Sequence, residues 1–197
     1  MDEPRDEDLV RRFQAGDAGA FATLVERHER RVYNLALRMT GREEDARDAT
    51  QDAFLAALRK LHTFRGEAAF TTWMHRVTVN ACYDLLRKRQ RAPLQLGGDR
   101  PDADRPPRPE PAAPGHAEAV ELAIDVRRAL LEVPEEFRAV LVLCDVQDLS
   151  YEQAAAALGV PVGTVKSRLH RGRVALGRLL GGERPGAPPP SEREVTP

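Results

Sequence analysis

Apolar residues recur every three or four positions in two stretches of the chain, about residues 5–92 and 117–180, and neither stretch alternates with a period of two. Residues 45–61 show the pattern clearly. One face of the helix predicted there is apolar and consists of Ala46, Ala53, Phe54, Ala57, Leu58 and Leu61. Glycine-containing turns separate such segments, as at Gly16 and Gly41. The pattern predicts an all-α fold made of two small helical domains.

The proline residues are concentrated in two stretches of the chain. Seven of its 15 prolines lie in residues 93–116 and five more in residues 181–197. Proline offers no backbone donor, and neither stretch has the apolar periodicity that a core needs. We therefore predict helical domains at 5–92 and 117–180, a flexible proline-rich linker at 93–116 and a disordered tail at 181–197.

Charge is segregated along the chain, although the formal total is only -1. Residues 59–91 carry eight basic and two acidic side chains, a net +6, and residues 164–178 carry five basic side chains and no acidic one. A total near zero does not suggest a nucleic-acid partner, but these two local concentrations of positive charge do.

The sequence has no apolar run of the roughly 18 to 20 residues that a spanning helix needs, and its acidic N-terminus does not resemble a signal peptide. We expect a cytoplasmic protein that does not insert into a membrane.

The polar face of the 45–61 helix carries one large apolar residue among charged neighbours. Its members are Asp48, Gln51, Asp52, Leu55 and Arg59. One interpretation is a solvated face with a stray leucine, since single exposed leucines are common. The other is a protein-docking face with an apolar centre and an acidic rim. The pattern alone does not decide between them.

Aromatic and basic side chains alternate in the next segment. A loop at 64–70 contains Phe64, Arg65 and Phe70, and the helix predicted after it has one stripe made of Trp73, Arg76, Asn80, Tyr83 and Arg87. Rings stack on bases and guanidinium groups meet phosphates, so the stripe suits single-stranded nucleic acid. The alternative is that Trp73 belongs to the core and the basic residues form an ordinary charged helix end.

Residues 151–180 have the pattern of a helix-turn-helix: a short alanine-rich helix, a turn at 159–163, and a longer helix that we expect Thr164 to cap. The candidate DNA-contacting residues of the longer helix are Thr164, Lys166, Ser167, Arg168, Arg171 and Arg173. Arginine can pair bidentately with guanine in the major groove, and flanking cations can hold phosphates. The alternative is a helical hairpin whose basic face binds nothing.

Catalytic signatures are absent from the sequence. There is no GxxxxGK, HExxH, GxSxG or CxxC motif, and the two cysteines, Cys82 and Cys144, are too far apart to form a metal-ligand pair. We therefore expect no catalytic residue, no metal, no cofactor and no small-molecule substrate. An enzyme and a conventional helix-turn-helix regulator that binds duplex DNA remain as rival interpretations.

Two segments resemble one known family. Residues 45–91 look like the conserved second region of bacterial RNA polymerase sigma factors of the extracytoplasmic-function (ECF) group, and residues 133–176 look like its fourth region. Two departures stand out. Gly172 lies where the family usually has alanine, and Ala154 lies where it commonly has a large aliphatic residue.

The resemblance implies roles for these residues. Asp48, Gln51 and Asp52 match the helix that docks on the β′ clamp of core RNA polymerase, the loop 64–70 with Asn80 matches the part that captures a flipped base of the -10 promoter element, and Lys166 to Arg173 match the helix that reads the -35 element. The resemblance also implies a contact with the polymerase β flap. It further implies an anti-sigma protein, often membrane-bound, that holds the factor inactive.

Overall fold

The computed structural model describes residues 4–91 and 116–181, with the side chains described from residue 123 onward in the second range. Its helices are α1 (Asp6–Gln14), α2 (Ala18–Thr40), α3 (Glu43–Lys60), α4 (Phe70–Arg91), α5 (His116–Glu132), α6 (Glu135–Leu141), α7 (Tyr151–Leu158) and α8 (Val162–Leu180). A 3-10 turn, Leu61–Thr63, follows α3, and a π-helical turn, Val142–Val146, continues α6. The described residues contain no strand, which confirms the all-α prediction. The predicted linker and tail, apart from His116 and Gly181, lie outside the described residues.

Local sequence determines where α2 and α7 begin and end. The Asp17 side chain accepts a hydrogen bond from the backbone N–H of Gly19 and caps α2, and Gly41 ends that helix with φ +81°. Ser150 and Gln153 form a reciprocal capping box at the start of α7, which ends at Gly159 with φ +66°. Glycine is needed at such left-handed C-caps because a Cβ would be strained there.

We call α1–α4 the N-terminal unit and α5–α8 the C-terminal unit. The N-terminal unit has a core of its own, the N-terminal core, formed by Leu9, Val10, Ala20, Leu24, Val32, Ala53, Ala57, Leu61, Phe70, Met74 and Val77. A second cluster, the shared core, joins side chains of α2, α3 and α4 to those of α6, α7 and α8. The two units therefore pack directly on one another.

Gly172 explains one departure from the family pattern. It is buried in α8, where a Cβ would lie 2.9 Å from Cγ of Leu141 and 3.3 Å from the backbone oxygen of Phe137. Because the missing side chain lets α6 and α8 approach closely, glycine here serves packing as well as costing helix propensity. Ala154, the second departure, is fully buried in the shared core.

Candidate polymerase and nucleic-acid interfaces

The predicted docking face of α3 is exposed. Alanines at positions 46, 49, 53 and 57 are fully buried, which lets α3 lie flush against its neighbours. On the opposite face Asp48, Gln51 and Asp52 are exposed, and Leu55 is 44% exposed. Leu58, which periodicity groups with the apolar face, is 41% exposed at the rim of the alanine face. Leu55 and Leu58 together give the face its apolar surface.

The basic end of α4 is tied to α3 by an ion pair that the sequence did not reveal. Arg89 of α4 pairs with Asp45, whose side chain is only 11% exposed. Asp45 also lies in the first turn of α3, where an acidic residue favours the helix dipole. This pair fixes the relative position of the docking helix and the helix that carries the aromatic stripe.

Three aromatic rings come together where the 64–70 loop meets α4. The Phe64 ring lies 5.4 Å from the Trp73 ring and 6.2 Å from the Phe70 ring, centroid to centroid, in edge-on arrangements. The side-chain amide of Gln14 donates to the carbonyl oxygens of Leu61 and Phe64 at 3.1 and 3.0 Å and so holds the loop to α1. Sequence periodicity gave no indication of this contribution from Gln14.

The members of this loop differ in exposure. Arg65 is exposed, Phe64 and Trp73 are half-buried, and Phe70 is only 1% exposed. Phe70 therefore lies beneath the other two rings and supports them, because it has almost no surface to offer a base. The α4 helix begins at Phe70 itself.

The aromatic stripe of α4 divides into two halves. Trp73, Arg76 and Asn80 continue from the loop, and the last two are exposed. Tyr83 is half-buried, and burial raises its pKa to about 12. The Arg87 guanidinium lies 5.9 Å above the Tyr83 ring. One helix thus carries all five residues, but its second half faces the C-terminal unit.

The helix-turn-helix is present as α7 and α8, with one correction to its boundary. We expected Thr164 to cap the second helix, but α8 begins at Val162 after Pro161, and no side chain caps it. Pro161 occupies the N-cap position in an extended conformation, with φ -60° and ψ 149°, so the helix starts directly after it. Thr164 is instead half-buried in the first turn.

Ion pairing separates the candidate basic residues of α8 into two groups. Lys166, Ser167 and Arg171 are exposed, and the Lys166 ammonium lies 5.8 Å above the Tyr151 ring. Arg173 forms two hydrogen bonds to the Asp145 carboxylate at 3.0 and 2.6 Å, while Arg168 pairs with Glu136 at 2.8 Å. Sequence reasoning missed both acidic partners, since they lie 28 and 32 positions from the arginines they bind.

One cleft brings the two candidate DNA surfaces together. Tyr83 and Arg87 from α4 and Arg168 from α8 line it, together with the carboxylates Glu135 and Glu136. The residues proposed to contact two separate promoter elements are therefore neighbours in this structure.

The described residues contain no cluster of His, Cys, Asp and Glu that could hold a metal ion. Cys82 and Cys144 are not bonded to each other, and burial raises the pKa of Cys82 to about 12, which leaves a poor nucleophile. None of the described helices is long and apolar enough to cross a membrane.

The family models and the individual relatives that match this chain all indicate the same family. The model of Sigma-70 region 2 matches residues 24–92, and that of Sigma-70, region 4 matches residues 123–176. The chain is 45% identical over 181 residues to the ECF RNA polymerase sigma factor SigM of Mycobacterium tuberculosis, covering 91% of this chain and 86% of that protein. It is 36% identical to the ECF RNA polymerase sigma-E factor of Escherichia coli, covering 87% of this chain and 92% of that protein.

Solved structures show the same fold. CnrH in complex with the cytosolic domain of CnrY aligns with a TM-score of 0.66 at 28% identity, covering 91% of this chain and 99% of that one. The sigma factor RpoE in complex with the anti-sigma factor NepR from Bartonella quintana aligns with a TM-score of 0.60 at 23% identity, covering 83% of this chain and 98% of that one.

Proposed function

Since this chain belongs to the ECF sigma factors of bacterial RNA polymerase and directs transcription initiation, we propose that three surfaces divide that task among polymerase docking, -10 capture and -35 reading. The protein is not an enzyme, and RNA synthesis belongs to the polymerase. It works where the polymerase works, in the cytoplasm. The family assignment removes the rival interpretation of a regulator that acts without polymerase.

The exposed face of α3 is the surface for core polymerase. Asp48, Gln51 and Asp52 surround an apolar centre made of Leu55 and Leu58, both more than 40% exposed. An apolar centre with a polar rim is the usual composition of a protein interface. We assign this face to the β′ clamp.

The aromatic cluster at the start of α4 is the surface for the melted -10 element. Phe64 and Trp73 present ring edges and faces beside the exposed Arg65, Arg76 and Asn80. A base taken out of its stack loses a few kcal/mol, which contacts with rings and an amide can offset. Tyr83 and Arg87 extend this surface along α4 toward the backbone of the same strand.

The exposed face of α8 is the surface for the -35 duplex. Arg171 is the residue best suited to a base edge, since it is exposed and no acidic partner is recorded for it among the described residues. Lys166 and Ser167 lie beside it on the same exposed face, and Thr164 lies in the first turn. Arg168 and Arg173 take part once DNA phosphates replace Glu136 and Asp145.

Two further partners follow from the family. We propose that the C-terminal unit contacts the polymerase β flap and that an anti-sigma protein inhibits the factor. CnrH, which is 28% identical to this chain over both units, was solved as a complex with the cytosolic domain of another protein. That complex supports a protein partner for this chain.

The observation that carries this proposal is the presence of a docking face and two nucleic-acid surfaces on three different helices of one chain. Run-off transcription from a genomic DNA library, with core polymerase and this protein, tests it and gives the promoter consensus. We expect specific transcripts that core polymerase alone does not produce. Failure to obtain any would refute the proposal.

Single substitutions test which partner each surface binds. Asp52→Arg should abolish binding to core polymerase, whereas Glu29→Arg, the same charge reversal at an exposed position on α2, should not. Arg171→Ala should relax base preference within the -35 element, at about 1 to 3 kcal/mol for a lost bidentate contact. Equal weakening on all -35 sequences would mean that Arg171 contacts only phosphate.

A further inference from the structure

The loop that we assign to base capture follows a short turn at the end of α3. Residues 65–67 of this loop are exposed, and Gly66 adopts a left-handed conformation with φ +73°. The Phe64 backbone N–H donates to the Leu61 carbonyl oxygen at 3.1 Å and so closes the 3-10 turn that precedes the loop. The position of the loop relative to α4 therefore depends on what holds this turn.

Gln14, the last residue of α1, holds both ends of the turn. Its side-chain amide nitrogen lies 3.1 Å from the Leu61 carbonyl oxygen and 3.0 Å from the Phe64 carbonyl oxygen. A glutamine amide has two N–H donors, so one group can donate to both carbonyls. The two bonds set the Phe64 backbone relative to α1, although Gln14 and Phe64 are 50 positions apart.

The end of α1 that carries Gln14 is itself fixed. Arg12 forms two hydrogen bonds to the Asp17 carboxylate, at 3.0 and 2.7 Å, and the Asp17 backbone N–H donates to the Arg12 carbonyl oxygen at 3.0 Å. The Phe13 ring packs on the Phe21 ring with 5.6 Å between centroids. A group on a fixed helix end positions its partner more precisely than a group on a loop would.

The same turn brings the Phe64 ring to the other aromatic rings. Phe64 lies edge-on to Trp73, with ring planes at 65°, and the Phe70 ring lies 5.7 Å from Trp73. Trp73 and Phe70 are held by α4, whereas Phe64 is held by the turn that Gln14 fixes. Rings that are already in place lose less conformational freedom when a base binds them.

We propose that Gln14 is a positioning residue for recognition of the melted -10 element, whose amide keeps the 64–70 loop in the arrangement in which Phe64 and Trp73 receive a base. The inference rests on the proposed function of the aromatic cluster. Gln14 does not contact DNA in this role and acts through the Phe64 backbone. Without its two donors the loop populates the receptive arrangement less often, and the apparent affinity for -10 DNA falls in proportion.

Gln14→Met tests this role, because methionine has nearly the length and shape of glutamine but cannot donate a hydrogen bond. Gln14 is exposed, so the exchange disturbs no core. Holoenzyme made from core polymerase and the variant is titrated with a single-stranded oligonucleotide that carries the -10 element found by run-off transcription. We expect binding about tenfold weaker than that of the parent, as a tenfold smaller receptive population gives. Gln14→Lys, which keeps a donor on a long side chain, should recover most of the affinity.

An abasic oligonucleotide separates positioning from a general structural role. Removal of the base that the parent holds most strongly should weaken binding by the parent. It should weaken binding by Gln14→Met much less, because the variant already lacks most of the contribution of that base. Both proteins should bind a duplex that carries only the -35 element equally well. Arg11→Met, at an exposed position on the same helix, is the matched control and should behave as the parent.

Trp73 gives an optical measurement in the free chain, because it is the only tryptophan in the sequence. Gln14→Met should shift the Trp73 emission to longer wavelength and increase its quenching by acrylamide, since the Phe64 ring then covers the half-buried indole for less of the time. The far-ultraviolet circular dichroism spectrum should match that of the parent and show that the helices are intact.

The outcomes separate this inference from the proposed function. Unchanged -10 affinity, an unchanged effect of the abasic site and an unchanged Trp73 spectrum in Gln14→Met would overturn the positioning role and leave the proposed function standing. Equal weakening on the -35 duplex would also overturn it, because that result indicates general damage. If the parent holoenzyme does not distinguish intact from abasic -10 DNA at any position, the proposed function of the aromatic cluster fails, and the role of Gln14 fails with it.

Discussion

The two units of this sigma factor differ in how they obtain a core. The N-terminal unit owns the N-terminal core and also contributes to the shared core. Among the side chains described from residue 123 onward, the buried apolar residues of the C-terminal unit, except Ala129, all belong to the shared core. A helical unit of this size buries only a modest fraction of its surface, so it gains most from packing on a neighbour. The unit that we assign to -35 reading is therefore the one that depends on its partner for stability.

The substitution with the largest expected effect removes an aromatic ring from the N-terminal core. Phe70→Ala should cost about 3 to 5 kcal/mol of unfolding free energy, because Phe70 is 1% exposed. Loss of the N-terminal unit also removes one side of the shared core, so amide protection should fall in both units. Leu169→Ala, in the C-terminal unit, should lower protection in that unit while α1 and the N-terminal core stay protected. Hydrogen exchange followed helix by helix in mild denaturant measures both.

The proposed dependence of the C-terminal unit on its partner would be refuted if its amides stayed protected from hydrogen exchange when Phe70→Ala unfolds the N-terminal unit. That result would show that α5–α8 are stable without a partner. Equal losses in the two units for both variants would instead show one cooperative domain.

The second test measures how stability depends on pH, through a buried histidine of the N-terminal unit. His75 is 4% exposed with no hydrogen-bond partner for either ring nitrogen, and burial, with further contributions from Arg31 and His28, lowers its pKa to about 4. The unfolded chain binds a proton near pH 6.5 and the folded chain does not, so stability is lost as pH falls from about 6.5 to 4. The loss from this residue is about 3 kcal/mol.

His75→Leu should flatten this pH dependence in denaturant melts, because it removes the group that must stay neutral. Part of the slope should remain, since burial also lowers the pKa of His28 despite its 2.8 Å contact with Asp6. His170→Leu, at an exposed position on α8, is the control and should leave the slope as it is. An unchanged slope in His75→Leu would show that the buried ring is not the cause.

The smallest test concerns packing within the C-terminal unit. Gly172→Ala should cost about 1 kcal/mol net, because overpacking against Leu141 and the Phe137 backbone oxygen outweighs the better helix propensity of alanine. Gly177→Ala, on the same helix with nothing within 4 Å of its new Cβ, should instead gain about 0.5 to 1 kcal/mol. Thermal melts of the pair give the sign of each change. A gain of equal size at both positions would show that α6 and α8 are not closely packed at Gly172.

Those parts of the candidate site that lie on one face of a single helix could be predicted from the sequence. The exposed acidic face of α3 and the exposed Lys166, Ser167 and Arg171 follow from periodicity alone, since positions three or four apart share a face. Periodicity groups Leu58 with the apolar face but does not give its exposure, because the depth of burial at the edge of a face depends on what packs there. Periodicity placed Arg168 on the outward face of α8 and Arg173 on its flank, but it did not indicate that acidic residues from other elements bind both.

The sequence alone determined the helices, their turns and the order of the two units, because these depend on short-range periodicity and on glycine, proline and capping side chains. It also determined the family, through motifs that lie within single segments. Only the tertiary structure decided that the units share a core, that Arg138 reaches the Met39 carbonyl oxygen 99 positions away, and that the two candidate DNA surfaces meet in one cleft. Such contacts join residues that are distant along the chain, and no local pattern encodes which apolar face covers which.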